Sequence, residues 1–209
     1  MELMIALAQM NVALGQPKQN EEMARSLVAR AADAGAQLAV LPELWFAGYD
    51  LAHAGEVAAA LDEGPFALMA EMAREHGLYL VGTSLESNPD GLPYNTAALF
   101  SPEGELAGAY RKVHLWAPMG EVEHMTPGRE LPVFDLPWGR TALAICYDLR
   151  FPEAFRCFAT AGARLVIIPA EWPVKRVEHW RLFLRALAVE NQFFLAGCNR
   201  SGVDPDPEG

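Results

Sequence analysis

Thr141-Ala142-Leu143-Ala144-Ile145 is a short apolar run that leads straight into Cys146-Tyr147-Asp148. Pro152 then opens a segment that Gly162 closes, ahead of a second apolar run, Leu165-Val166-Ile167-Ile168, which meets Pro169. Runs of this length read as buried strands. The stretch 152–161 reads as a helix, with its proline near the first position and its glycine just past the end. Strand, turn, helix and strand in that order make the unit of an α/β fold with parallel neighbours.

The same alternation recurs on both sides. Leu3-Met4-Ile5-Ala6-Leu7-Ala8 reads as a buried strand. Residues 19–34 read as a helix with Met23, Leu27 and Ala31 on one stripe and Gly35 as its cap. Leu38-Ala39-Val40-Leu41 reads as a buried strand stopped by Pro42. Residues 65–76 follow as a helix before Gly77, and 78–83 as a strand. A hairpin is expected from 95–100 and 105–115 about the turn Ser101-Pro102-Glu103-Gly104. Residues 177–192, with Trp180, Leu184 and Leu187 on one face, read as the last helix, and 193–197 as the last strand. No low-complexity linker interrupts the chain, so one domain over 1–202 is expected, with 203–209 as a disordered tail. Val40-Leu41-Pro42-Glu43-Leu44-Trp45 and Ile168-Pro169-Ala170-Glu171-Trp172 look alike, an internal pseudo-symmetry or a coincidence.

The 209 residues hold 16 Lys plus Arg and 27 Asp plus Glu, a formal charge of −11. Polyanion binding needs clustered cations, so a nucleic-acid partner is disfavoured. At 52% hydrophobic and 21% charged residues the composition is that of a globular protein. Cys146, Cys157 and Cys198 are too few for a disulfide framework and show no metal-ligand spacing, which points to a reduced, cytoplasmic setting without a metal. No run reaches the roughly 18 apolar residues of a membrane span. The start carries Glu2 where a signal peptide has basic residues.

In α/β sheets, reactive groups gather beyond the carboxyl ends of strands. Glu43, Lys112, Cys146 and Glu171 all stand at such ends. Cys146 sits on a strand-to-helix turn, where free backbone N–H groups stabilise a thiolate or an oxyanion, although a free cysteine is more often a small buried hydrophobe. For Cys157, inside an apolar helix, and for Cys198 the buried-hydrophobe reading is the better one. Glu43 suits a general base or a strand-end cap equally. Lys112 suits an oxyanion partner, but by spacing alone a solvated edge-strand lysine is commoner. Glu121, in the loop after Pro118-Met119-Gly120, reads as surface charge. His114 is an alternative base for Cys146.

Taken together these segments resemble the nitrilase superfamily of carbon–nitrogen hydrolases. The resemblance rests on Leu41-Pro42-Glu43-Leu44-Trp45 with Gly48-Tyr49, on Tyr110-Arg111-Lys112-Val113-His114-Leu115, and on Cys146-Tyr147-Asp148-Leu149-Arg150-Phe151-Pro152-Glu153. Pro169-Ala170-Glu171-Trp172-Pro173, His179-Trp180, Glu190-Asn191-Gln192 and Asn199-Arg200 add to it, in the family's order. It implies a four-layer α-β-β-α sandwich and a catalytic Glu43, Lys112 and Cys146, with Glu121 as the supporting glutamate. It implies an oxyanion site at the Tyr147 N–H, and substrate-binding candidates Arg150, Arg176, Glu171, Trp172 and Tyr49. Within the family the motifs look most like the ω-amidase-like branch, which removes ammonia from monoamides of small dicarboxylic acids. A small carboxylate-bearing amide, a thioester intermediate, no cofactor and a homodimer are therefore expected. Nitriles and N-carbamoyl compounds are alternative substrates on the same scaffold. Members usually continue for several tens of residues past Asn199-Arg200, so a missing C-terminal part is also expected, and with it an inactive module that associates through its sheet edge as an alternative.

Overall fold

The structure, a computed structural model, describes residues 2–202; the expected tail lies outside them. In chain order the elements are β1 (Ile5–Leu7), α1 (Pro17–Asp33), β2 (Leu38–Val40), α2 (Ala54–Val57), α3 (Gly64–His76), β3 (Tyr79–Glu86), β4 (Tyr94–Phe100), β5 (Leu106–Arg111), α4 (Glu121–His124), β6 (Val133–Leu136), β7 (Gly139–Leu143), α5 (Pro152–Thr160), β8 (Leu165–Ala170), α6 (Val177–Asn191) and β9 (Phe194–Asn199).

Two sheets form. The first runs β1-β2-β3-β4-β5 and the second β6-β7-β8-β9. β1, β2 and β3 are parallel, and β4 and β5 extend that sheet as an antiparallel hairpin. β6 pairs antiparallel with β7, while β7, β8 and β9 are parallel. The period of two along each strand splits the first sheet's side chains between two layers. Ala39, Leu41, Leu80, Ala98 and Phe100 pack with Ala24, Val28 and Ala31 of α1 and with Phe66, Met69 and Met72 of α3. Leu38, Val40, Val81 and Leu99 instead join the second sheet, whose cluster also takes in Phe155 and Phe158 of α5 and Trp180 and Leu187 of α6. The order of layers is thus helix, sheet, sheet, helix. Across the middle, the Cys198 thiol donates to the Val40 carbonyl at 3.0 Å. α6 approaches β9 closely: a Cβ on Gly197 would lie 2.7 Å from the Trp180 ring.

Several expectations need correction. β1 is short and half-buried, with Leu7 exposed, because it is the edge strand and has one neighbour. β8 does not stop at Pro169 but runs to Ala170. Ile167 directs its carbonyl to Ala144 on the β7 side, so Pro169, two residues on, faces the same side beyond the last β7 pair, where no ladder bond is lost. β6, four residues between Pro132 and Pro137, had no reading in the sequence. β5 ends at Arg111, leaving Lys112 just past it. Cys157 is exposed on α5 rather than buried.

Candidate active site

Glu43 lies just beyond β2, where the chain turns sharply. Leu44 adopts φ of 44°, a left-handed conformation that is strained for a side chain of this kind, and its N–H donates to the Thr83 hydroxyl at 2.7 Å. That turn sends the Glu43 side chain inward, where it is fully buried. The sequence left it open whether this carboxylate meets a strand end or a chemical partner. Its Oε1 accepts from the Lys112 ammonium at 2.8 Å and from the Asn95 amide at 2.9 Å, and its Oε2 from the Glu171 N–H at 2.9 Å.

Lys112 follows the edge strand β5 but is not solvated. Its N–H donates to the Asn95 carbonyl at 2.9 Å and its carbonyl accepts from the Gly128 N–H at 2.8 Å, so the 126–132 segment covers the edge. The side chain is completely buried, and Nζ donates to Glu43 and, at 2.6 Å, to Oε1 of Glu121. A surface reading of Glu121 is therefore wrong. The residue starts α4, is fully buried, and its two oxygens also accept from the Tyr49 hydroxyl and from the Trp116 N–H, each at 2.7 Å.

Cys146 comes from the other sheet. Past β7 the chain stays extended to Ile145, then Cys146 takes φ of 42° at the head of a 3-10 turn, Cys146–Arg150. This is the second strained non-glycine residue of the cluster. The thiol is buried, with the Glu43 carboxylate and the Lys112 ammonium as the nearest charges acting on it. The structure so brings Glu43, Lys112, Glu121 and Cys146 together from β2, β5, α4 and β7. His114, the alternative base, is turned away: its Nδ1 lies 2.8 Å from the Asp148 carboxylate and its ring stacks on Phe151 at 3.6 Å.

The electrostatics follow from burial. Desolvation and the neighbouring Glu43 carboxylate push the Cys146 thiol well above its ordinary range, despite the opposing Lys112. Burial works against the Lys112 ammonium, but Glu43 and Glu121 outweigh it and hold its pKa above the usual lysine value. Glu121 is raised by burial, partly offset by Lys112. Tyr49 is raised well above its ordinary value, by burial first and then by Glu43 and Glu121. The resting cluster is a neutral thiol beside a carboxylate and an ammonium, an arrangement that can pass the thiol proton to Glu43 as the sulfur attacks.

A narrow cleft reaches Cys146 between Trp116, Tyr147, Arg150, Trp172, Pro173 and Arg176. The half-buried Arg150 guanidinium lies 4.9 Å from the Trp172 ring centre, 5.4 Å from Phe183 and 5.9 Å from Tyr147. Among the described residues Arg150 has no carboxylate partner. Arg176 is exposed and lies over Trp116 at 5.5 Å. Glu171 gives the cluster its backbone N–H, while its side chain turns to Arg200 at 3.2 Å. A larger hollow of about 570 Å³ lies beside β5 between Tyr94, Arg111, Thr126 and Arg129, and takes in none of the four clustered side chains. Asn95 and Asp148 are buried polar partners that sequence reasoning missed. Asn95 carried one signal, an amide inside a strand, where it is a disfavoured residue. Among the described residues no group of three His, Cys, Asp or Glu is placed to hold a metal ion. No helix there is long and apolar enough to cross a membrane.

Comparison with known proteins gives a consistent picture. Residues 4–208 match the family described as Carbon-nitrogen hydrolase. A 2-oxoglutaramate amidase of Bacillus subtilis (strain 168) is 36% identical over 208 residues, which is 100% of this chain and 80% of that protein. An omega-amidase of Homo sapiens is 33% identical over 193 residues, covering 88% of this chain and 70% of the relative. Among solved structures, a mutant of the amidase from Nesterenkonia sp. AN1, showing Michael addition of acrylamide at the active site cysteine, superposes with a TM-score of 0.86 at 31% identity, over 97% of this chain and 80% of that one. A CN-hydrolase superfamily protein from Xanthomonas campestris with an arsenic adduct in its active site gives a TM-score of 0.90 at 29% identity, over 98% and 78%.

Proposed function

The chain belongs to the carbon–nitrogen hydrolase family, and from that premise we propose that it is an ω-amidase-type enzyme that removes ammonia from small carboxylate-bearing amides. The observation that carries this reading is the buried Glu43–Lys112 ion pair beside the buried Cys146, at the foot of a cleft lined by Arg150, which has no carboxylate partner among the described residues.

In this reading Glu43 takes the Cys146 proton while the sulfur attacks the amide carbonyl. The developing oxyanion is held by Lys112 and by the Tyr147 N–H, which stands in the first turn of a helix where donors lack intrahelical partners. Glu43 returns the proton to the nitrogen as the C–N bond breaks, ammonia leaves, and a thioester remains on Cys146. Glu43 then takes a proton from water as it attacks the thioester, and the proton returns to the sulfur as the acid departs. Glu121 does not touch the substrate; with Tyr49 and the Trp116 N–H behind it, it fixes the ammonium of Lys112. Arg150, held by Trp172, Phe183 and Tyr147, receives the far carboxylate by a charge-assisted pair.

The relatives named 2-oxoglutaramate amidase and omega-amidase support a dicarboxylate monoamide as substrate. A cytoplasmic location is supported by three unpaired cysteines. A homodimer is supported by α6, whose exposed Leu182 and Val189 stand two turns apart on one stripe. An ammonia-release assay over amides, nitriles and carbamoyl compounds tests the activity. Dicarboxylate monoamides are expected to lead, with Cys146→Ala, Lys112→Ala and Glu43→Gln inactive and the thioester mass confined to Cys146. Turnover that survives Cys146→Ala overturns the reading.

A further inference from the structure

Asp148 is a fully buried carboxylate that the reaction as written does not use. Its four hydrogen bonds follow a pattern. Oδ2 accepts from the Tyr110 hydroxyl at 2.8 Å and from the Ile145 N–H at 3.0 Å. Oδ1 accepts from the His114 N–H at 2.9 Å and faces the His114 Nδ1 at 2.8 Å. Tyr110 and His114 stand two residues before and two residues after Lys112, while Ile145 and Asp148 itself bracket Cys146. One carboxylate thus holds a side-chain hydroxyl before the amine, the backbone after it and the backbone just before the thiol, and the amine and the thiol come from different sheets.

We propose that Asp148 is the positioning residue that fixes Lys112 against Cys146, with Tyr110 and His114 as the arms through which it acts. The proposal rests on the amidase reading of the site. The grip is needed for two local reasons. Cys146 is held at φ of 42°, and such a conformation persists only when its surroundings over-determine it. Here the Ile145 N–H is pinned by the Asp148 side chain, and the Ile145 carbonyl accepts from the Asp148 N–H at 2.9 Å, so both polar groups of the residue before the thiol are fixed by one residue. On the other side, Lys112 lies one residue past the end of β5, where its N–H makes the last bond to β4, at the Asn95 carbonyl. Tyr110 on the strand and His114 beyond it close a loop around the point where the strand ends, and the Val113 N–H donates to the same Tyr110 oxygen at 3.3 Å. The His114 ring is clamped flat on Phe151, the residue that ends the turn carrying Cys146. His114 therefore serves the thiol indirectly, through Asp148, and not as its base.

The test is Asp148→Asn in the full chain. The amide keeps the volume but replaces one acceptor oxygen with a donor, so one backbone grip, that of the Ile145 N–H or of the His114 N–H, is lost whichever way it turns, while the Tyr110 hydroxyl or the His114 ring can turn to accept. The expected result is a kcat lowered about 100-fold with KM changed by less than about threefold, the signature of misplaced reacting groups with substrate binding intact. Alkylation of Cys146 by iodoacetamide slows in step, while Cys157, exposed on α5, is alkylated at the wild-type rate and serves as the internal standard. A kcat within about threefold of wild type overturns the proposal, as does a kcat that falls only with the folded fraction. Should Asp148→Asn not fold, Tyr110→Phe keeps the ring packing and removes a single grip. A kcat lowered about tenfold at unchanged KM supports the proposal, and an unchanged kcat overturns it. Cys146→Ala run alongside separates the two levels: its inactivity beside an active Asp148→Asn removes the positioning role and leaves the amidase reading standing.

Discussion

The backbone N–H of Glu171 donates to Oε2 of Glu43 at 2.9 Å, joining segments 128 residues apart. The end of β8 in one sheet is thereby tied to the residue beyond β2 in the other. These are the two segments whose sequences look alike, yet their carboxylates do different things. Glu43 is buried among Lys112, Asn95 and Cys146, whereas Glu171 turns its own carboxylate to Arg200 and lends only its backbone.

That backbone donor is held in place from behind. Asn199 accepts from the Trp172 N–H at 2.6 Å and donates to the Trp172 carbonyl at 3.1 Å. Asn199→Ala removes both bonds and is expected to cost about 1–3 kcal/mol in a urea melt. Ammonia release should show kcat reduced about tenfold, because the Glu43 carboxylate loses a fixed donor.

Lys112→Met tests the ion cluster. It keeps most of the volume but leaves Glu43 and Glu121 buried side by side without their ammonium. Removing one partner of such a buried pair costs about 3–5 kcal/mol, so a large drop in urea midpoint should accompany complete loss of turnover. Glu121→Gln, which keeps one acceptor oxygen for Lys112, is expected to be milder on both counts.

Arg150→Met tests the substrate's far end. Losing one charge-assisted pair is worth about 1.5–3 kcal/mol, so kcat/KM for a dicarboxylate monoamide should fall about 10- to 100-fold. A neutral aliphatic amide of similar length should be turned over as before. Equal losses on both amides would assign Arg150 to packing against Trp172 instead.

Stability should decline in alkali. Burial raises the thiols of Cys146 and Cys198 above their ordinary value of 9.0, Cys146 also through Glu43. The unfolded chain gives up these protons near that value while the folded chain keeps them. The unfolded state then binds fewer protons, and stability falls as pH rises, by about 1.4 kcal/mol per pH unit for each thiol. Urea midpoints from about pH 8 to about pH 10.5 should show the slope, and Cys198→Ala should flatten it.

The exposed stripe on α6 gives a test of assembly. Leu182→Glu with Val189→Glu should convert a dimer to a monomer in size-exclusion chromatography with light scattering, without lowering the urea midpoint. A wild-type chain that runs as a monomer at all concentrations would remove the homodimer from the proposal.

Much of the layered fold was readable because the end of β2 was marked by Pro42 and helix ends by Gly35, Gly77 and Gly162, whereas Pro169 misled, since β8 runs through it. Glu43, Lys112 and Cys146 could be singled out one by one, since each stands just past an apolar strand. Their convergence could not be read from spacing, because it depends on how two sheets stack. Glu121 shows the limit most clearly. A glutamate after Gly120 in a loop looks solvated, and its burial depends on Tyr49 and Lys112, 72 and 9 residues away in the chain. Asp148 and Asn95 escaped for the same reason, since Tyr110 and His114 for the one and Glu43 for the other come from far along the chain. β6 was hidden by the prolines on either side of it.

The seam between the sheets runs through the middle of the reactive cluster. β1 to β5 supply the acid and the amine, and the sulfur arrives only with β7. A chain emerging from the ribosome with its first half folded carries a base and a cation but nothing to attack with. Until the halves dock, the thiol stands in water near its ordinary range; docking buries it beside Glu43. The sulfur therefore meets the carboxylate proposed to take its proton only when the last interface closes.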